Sequence, residues 1–224
     1  MASKSQDFDY TGSVEQIRCL DNDKLYSIHV RLLDRDCPVW EDFVMTCGSS
    51  TGPWTSDMPG ERFEMWVIWM YERRISCEDV GASPTETIIK LLDAYGEPDF
   101  HACPNFQDAI MDELIRRLTD PGRVGDAPFV KDLLPRMLIA FPENTNRRLF
   151  VADWLAYCNP RKREDEGSLA ECLTSQVDEV TLQYLGTVLL RQRYDGDSSP
   201  PWKNDPCCYH RHKEVGGECH RRTT

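Results

Sequence analysis

The stretch "CCYHRHKEVGGECHRR" gathers three of the chain's ten cysteines and three of its five histidines into residues 207–222. Thiolate and imidazole are the donors that Zn²⁺ prefers, and a closed zinc site needs four of them. Cys208, His210, His212 and Cys219 supply such a set. His210 and His212 are two apart, so in an extended segment their rings point the same way. Cys207 and His220 are spare donors that could substitute. This is not the spacing of a standard finger. The simpler alternative is a Cys/His-rich tail that binds no metal and stays disordered, and the sequence favours it. No cofactor is therefore expected, with zinc at the tail as the exception to test.

Elsewhere the sequence offers little chemistry. It has no glycine-rich phosphate loop, C-x-x-C or H-E-x-x-H. His29 sits where a strand meets a helix, which suits a hydrogen-bonded structural histidine better than a base. His101 and Cys103 could form a nucleophile pair, but "FHACPNF" reads more simply as a loop before a helix. Acidic runs such as "DRD", "DND" and "REDE" are solvated faces. "PRKR" at 160–163 resembles a minimal import signal, but "ED" follows it and a linker is the plainer reading. No catalytic residue is assigned and no enzyme is expected.

The elements that must carry these residues follow from pattern. The 224 residues carry a net charge of −12, which opposes nucleic acid and anionic lipid. No apolar run reaches a membrane span, and "MASKSQDFDY" lacks a secretory signal's apolar stretch. An intracellular protein, cytoplasmic or nuclear, with reduced thiols is expected. Cys19, Cys37, Cys77, Cys158 and Cys172 sit beside apolar residues and read as small core hydrophobes.

"VEQIRCL" and "LYSIHV" alternate apolar and polar across the turn "DNDK", a hairpin. Helical spacing follows from Val30, and Pro38 separates two short helices. "FEMWVIWMYERRI" (63–75) places Phe63, Trp66, Val67, Met70 and Tyr71 on one face, with Met65, Ile68 and Trp69 on the other. A helix apolar nearly all round belongs in a core. Ser83-Pro84-Thr85-Glu86 is a helix start with a capping box. Further helices are predicted from Pro104, over 129–141 with a kink or split at Pro135, over 145–158, and after "SLAE" and "SQVD". Strands followed by helices give an α+β fold.

"LYSIHVRLLDRDCPVW" resembles the strand-to-helix signature of BTB/POZ domains, with His29, Leu32, Leu33, Cys37, Pro38 and Trp40 in the corresponding places. "FEMWVIWMYERRI" looks like that domain's later helix and its closing segment, with Tyr71 and Ile75 matching and Glu72 where threonine is usual. "LLDAYGEPDFHACPNFQDAIMDEL" resembles the helix pair that follows, and "NRRLFVADWLAY" a helix common in fungal proteins of this type. The resemblance runs discontinuously over about residues 14–158. It implies short β-strands covered by a cluster of α-helices, with a helical C-terminal extension. It also implies a non-enzymatic adaptor or scaffold that holds a protein partner the sequence does not name. A zinc-binding regulatory module is the alternative.

Only "PWTS" is available for the strand usual between the first helices and the stripe, so a short or missing strand is expected. The segment that swaps in dimeric members, and the hydrophobic-x-Glu motif of cullin adaptors, are not found, so neither homodimer nor ubiquitin-ligase recruitment is expected. The organisation expected is a flexible start (1–13), a BTB/POZ-like domain (14–120), a helical extension (121–194) and a disordered Cys/His-rich tail (195–224).

Overall fold

The computed structural model describes residues 12–37, 40, 45–46, 53–77, 83–97, 100, 103–120, 127–143, 145–158, 177–194, 199–215, 219 and 221. The fold is α+β. It divides into two compact units, one drawing mainly on residues up to 76 and 98–109, the other on 77–97 and 110–217.

In the first unit, β1 (Val14–Cys19) and β2 (Lys24–His29) form the expected antiparallel hairpin, in register from Val14 opposite His29 to Cys19 opposite Lys24. The alternation buries Ile17, Cys19, Tyr26 and Ile28. Asp23 makes the turn with a positive φ of 53°, which aspartate tolerates better than most residues. Helix α1 (Val30–Asp36) starts directly from β2. Two short strands follow, β3 (Met45–Thr46) and β4 (Trp54–Ser56), giving the order β2-β1-β4-β3. The strand sought in "PWTS" is thus present and three residues long. It pairs parallel with β1, Ile17 opposite Trp54.

Helix α2 (Gly60–Glu72) is the stripe. Phe63, Met65, Trp66, Trp69 and Met70 are buried. Phe63 meets Tyr26 at 4.9 Å between ring centroids, and Trp69 meets Phe106 at 5.2 Å. The helix stops at Arg73 in the left-handed conformation. Arg73 lies over the Trp69 ring and pairs at 2.8 Å with Asp36, which is buried and also held by Arg35. His29 Nδ1 lies 2.8 Å from the Tyr71 hydroxyl, and the His29 backbone N–H donates to the same oxygen. That hydroxyl makes His29 a brace between β2 and α2, a structural partner as the sequence suggests, although from a side chain.

The second unit is helical: α3 (Pro84–Tyr95), the later turns of α4 (Pro104–Leu118), α5 (Ala127–Ala140), α6 (Asn146–Cys158), α7 (Glu179–Tyr194), and the one-turn helices α8 (Pro201–Asn204) and α9 (His212–Val215). The capping box at Ser83 and Glu86 is formed in both directions. Helix α3 packs on α5, with Tyr95 edge-on to Phe141 at 5.1 Å. Residues 77–97 group with the later helices, where the α3 stripe is covered. Pro135 lies inside α5, which is assigned as one continuous helix. Asp178 caps α7: its carboxylate accepts from the Thr181 N–H and hydroxyl at 2.9 Å. Arg148 on α6 donates to Asp178 and to the Leu138 and Phe141 carbonyls at the end of α5.

No helix among the described residues is long and apolar enough to cross a membrane. Several expectations fall outside the described residues. These are the pair partner His101, the basic run at 160–163, the linker at 161–167, Cys158 as a side chain, Cys172 and His220.

Candidate metal centre

The C-terminal segment was expected as a disordered tail. Residues 199–215 instead carry two anchors that a polar composition conceals. Trp202 stands edge-on to Phe150 at 5.8 Å and to Tyr157 at 5.9 Å. Tyr209 stands edge-on to Phe150 at 5.1 Å, and its hydroxyl donates to Asp153 Oδ2 at 2.6 Å. Phe150, Asp153 and Tyr157 lie on α6. Two aromatic anchors per short segment supply the burial that opposes chain entropy.

Asp153 is 1% exposed. Its Oδ2 accepts from Tyr184 as well as Tyr209, while Oδ1 meets no donor among the described residues. Burial pushes its carboxyl up, and the two tyrosine hydroxyls offset this only in part, leaving it at about 6. Burial and the facing carboxylate raise both phenols.

Between the anchors and α9 the chain makes consecutive turns. Asp205 accepts from the Cys207 N–H at 3.0 Å through its side chain, and from the Cys208 N–H through its carbonyl. The His210 N–H donates to the Cys207 carbonyl at 3.0 Å. That last turn brings residues 207 and 210 side by side, as a C-x-x-H ligand spacing requires. Lys213 pairs with Asp205 and, as the main cause, holds its carboxyl below the usual range.

The ligand atoms of Cys207, His210 and His212 lie within 4.8 Å of one another, and Cys219 is the fourth donor of a group that could hold a metal ion. His210, His212 and Cys219 are buried and Cys207 is half-buried. The rings of His210 and His212 lie 5.2 Å apart at 73°. In a tetrahedral zinc site the bond lengths put donors roughly 3.3–3.8 Å apart, so an ion would draw this group together by about 1 Å.

Of the four residues assigned from sequence, His210, His212 and Cys219 are in the group and Cys208 is outside it. The Cys208 thiol is pushed up to about 11, chiefly by burial. Cys207, one of the two spares, takes the place. The turn decides between neighbours, and residue type cannot. Sequence reading also missed Asp112 on α4, whose Oδ1 lies 2.8 Å from His210 Nε2. Nothing in local spacing marks a residue 98 positions away.

Cys19, Cys37, Cys77, Cys103 and Cys219 are buried, and Cys207 and Cys208 are half-buried. No family model, no curated protein and no solved structure matches the chain.

Proposed function

We propose that this protein is a non-enzymatic protein-interaction module whose C-terminal segment is organised by one structural zinc ion. The observation that carries the metal is the mixed donor set of Cys207, His210, His212 and Cys219. Two thiolates and two neutral imidazoles cancel much of a divalent charge and fill a tetrahedral shell. A filled shell leaves no position for water or substrate, which is the signature of a structural rather than a catalytic zinc.

Metal analysis of untagged full-length protein, purified under reductant, tests this. About one zinc per chain supports it, since one four-ligand site binds one ion. Zinc-free protein, or a Cys207–Cys219 disulfide found by peptide mapping, overturns it.

A BTB/POZ-like adaptor is the interaction reading for the first unit. It is favoured by the hairpin leading straight into α1, by β4 at "PWTS", and by the His29–Tyr71 brace. Affinity purification with quantitative mass spectrometry tests it. Recovery of one protein in near-equal amount supports an adaptor role, and recovery of a cullin contradicts the expectation of no ligase recruitment.

A further inference from the structure

We infer that Asp112 is the positioning residue of the metal centre, fixing His210 in the tautomer that ligates through Nδ1. The inference rests on the zinc reading above and specifies how one of its ligands is aimed.

Asp112 Oδ1 lies 2.8 Å from His210 Nε2. The His210 side chain is fully buried, whereas Asp112 keeps 19% of its side-chain surface in solvent. At 2.8 Å the two groups share a hydrogen bond, and a carboxylate oxygen is the natural acceptor in it. The proton between them therefore sits on Nε2. A neutral imidazole protonated on Nε2 carries its lone pair on Nδ1, the nitrogen that can then ligate an ion. Histidines that bind metal commonly donate their other N–H to a carboxylate, which orients the ring and strengthens the ligand.

The placement has two independent supports. The turn closed by the His210 N–H and the Cys207 carbonyl sets the backbone of the ligand pair. Helix α4 sets the carboxylate, from the rigid interior of a 15-residue helix. Other charges near the turn are Asp205, which acts on His210 through space, and its partner Lys213, which is tied to Asp205 by an ion pair. The competing arrangement is a protonated His210 in a plain ion pair with Asp112, which would leave no lone pair on either nitrogen.

Nitrogen NMR of histidine-labelled full-length protein loaded with zinc reads the tautomer directly, with no substitution. The expected result is His210 with metal on Nδ1 and a proton on Nε2. Metal on Nε2, or a doubly protonated ring, overturns the inference. A chelator-competition series then measures zinc affinity. Asp112→Ala should weaken it about 10- to 100-fold, the usual loss for such a partner. Asp112→Asn keeps an acceptor without the charge and should fall between Asp112→Ala and wild type. Co²⁺ absorption should keep its thiolate bands while its ligand-field bands shift. Equal affinity in all three proteins overturns the positioning role while leaving the zinc reading intact. Wild type that binds neither zinc nor Co²⁺ removes both.

Discussion

Cys207 and Cys208 are adjacent and chemically identical, yet the structure gives them different roles. Cys207 opens the turn that ends at His210, while Cys208 is pushed towards its thiol form by burial. Cys207→Ser should therefore abolish stoichiometric zinc, and Cys208→Ser should retain it. Metal content after gel filtration of each variant decides the point, and equal loss in both would refute the assignment. Asp153 supports a second prediction. Its carboxyl rises from an ordinary 3.8 to about 6 in the fold. Such a group favours the folded state below its unfolded value and loses that advantage as pH rises towards about 6. Wild type should lose about 2 kcal/mol from this one residue between pH 4 and pH 6. Asp153→Asn cannot titrate, so the difference in stability between the two proteins should change across that window and stay flat above it. Urea titrations at each pH read the difference. At this scale the sequence exposed donor types but not partners. His210 and His212 were visible as candidate donors because zinc chemistry is in the residue type. Asp112 and Asp153 were not, because a carboxylate's role depends on what the fold brings to it.

At the scale of elements, strong local signals carried through. The Ser83–Glu86 box caps α3 as read, because both of its bonds are made within four residues. The apolar stripe of α2 is core because its rings have nowhere else to be covered. Trp66→Ala should cost about 3–5 kcal/mol, the usual range for deleting a buried aromatic, read as a lower urea midpoint with the slope unchanged. The join between α5, α6 and α7 was not legible. It depends on Arg148, whose guanidinium reaches two carbonyls and Asp178 at once. Burial alone would raise the Asp178 carboxyl, but the Thr181 donors and Arg148 outweigh it and hold it at about 2. Asp178→Ala removes the cap and strands a buried guanidinium, at a cost of about 2–4 kcal/mol. Loss of helical circular dichroism at lower temperature would show it. Asp178→Asn, which can still cap, should be milder.

For the whole molecule, the segment after residue 195 reverses an expectation. A polar, proline-containing stretch reads as a linker because composition averages over its two anchors. Trp202 and Tyr209 stack on Phe150, which is completely buried. A chain ending at residue 194 should therefore melt several degrees lower than the full chain and bind a dye for exposed apolar surface. An unchanged melt would restore the free tail. If the proposed zinc is bound, the same anchors tie its affinity to folding, so chelation should lower the melting temperature of the full chain, and acid should release the ion as its ligands take protons. The broad α+β order was legible because strands and helices differ in period. The division into units was not, because it turns on which helix covers α3.

The short strand β4 also has a kinetic consequence. Ile17 pairs with Trp54 in parallel, and only three residue pairs join the two strands. Until that contact forms, the sheet is a lone hairpin, which is marginal in water. Closing so long a loop is an entropic toll met before any reward arrives. If docking of this late strand limits folding of the unit, substitutions in β4 should slow folding more than they speed unfolding.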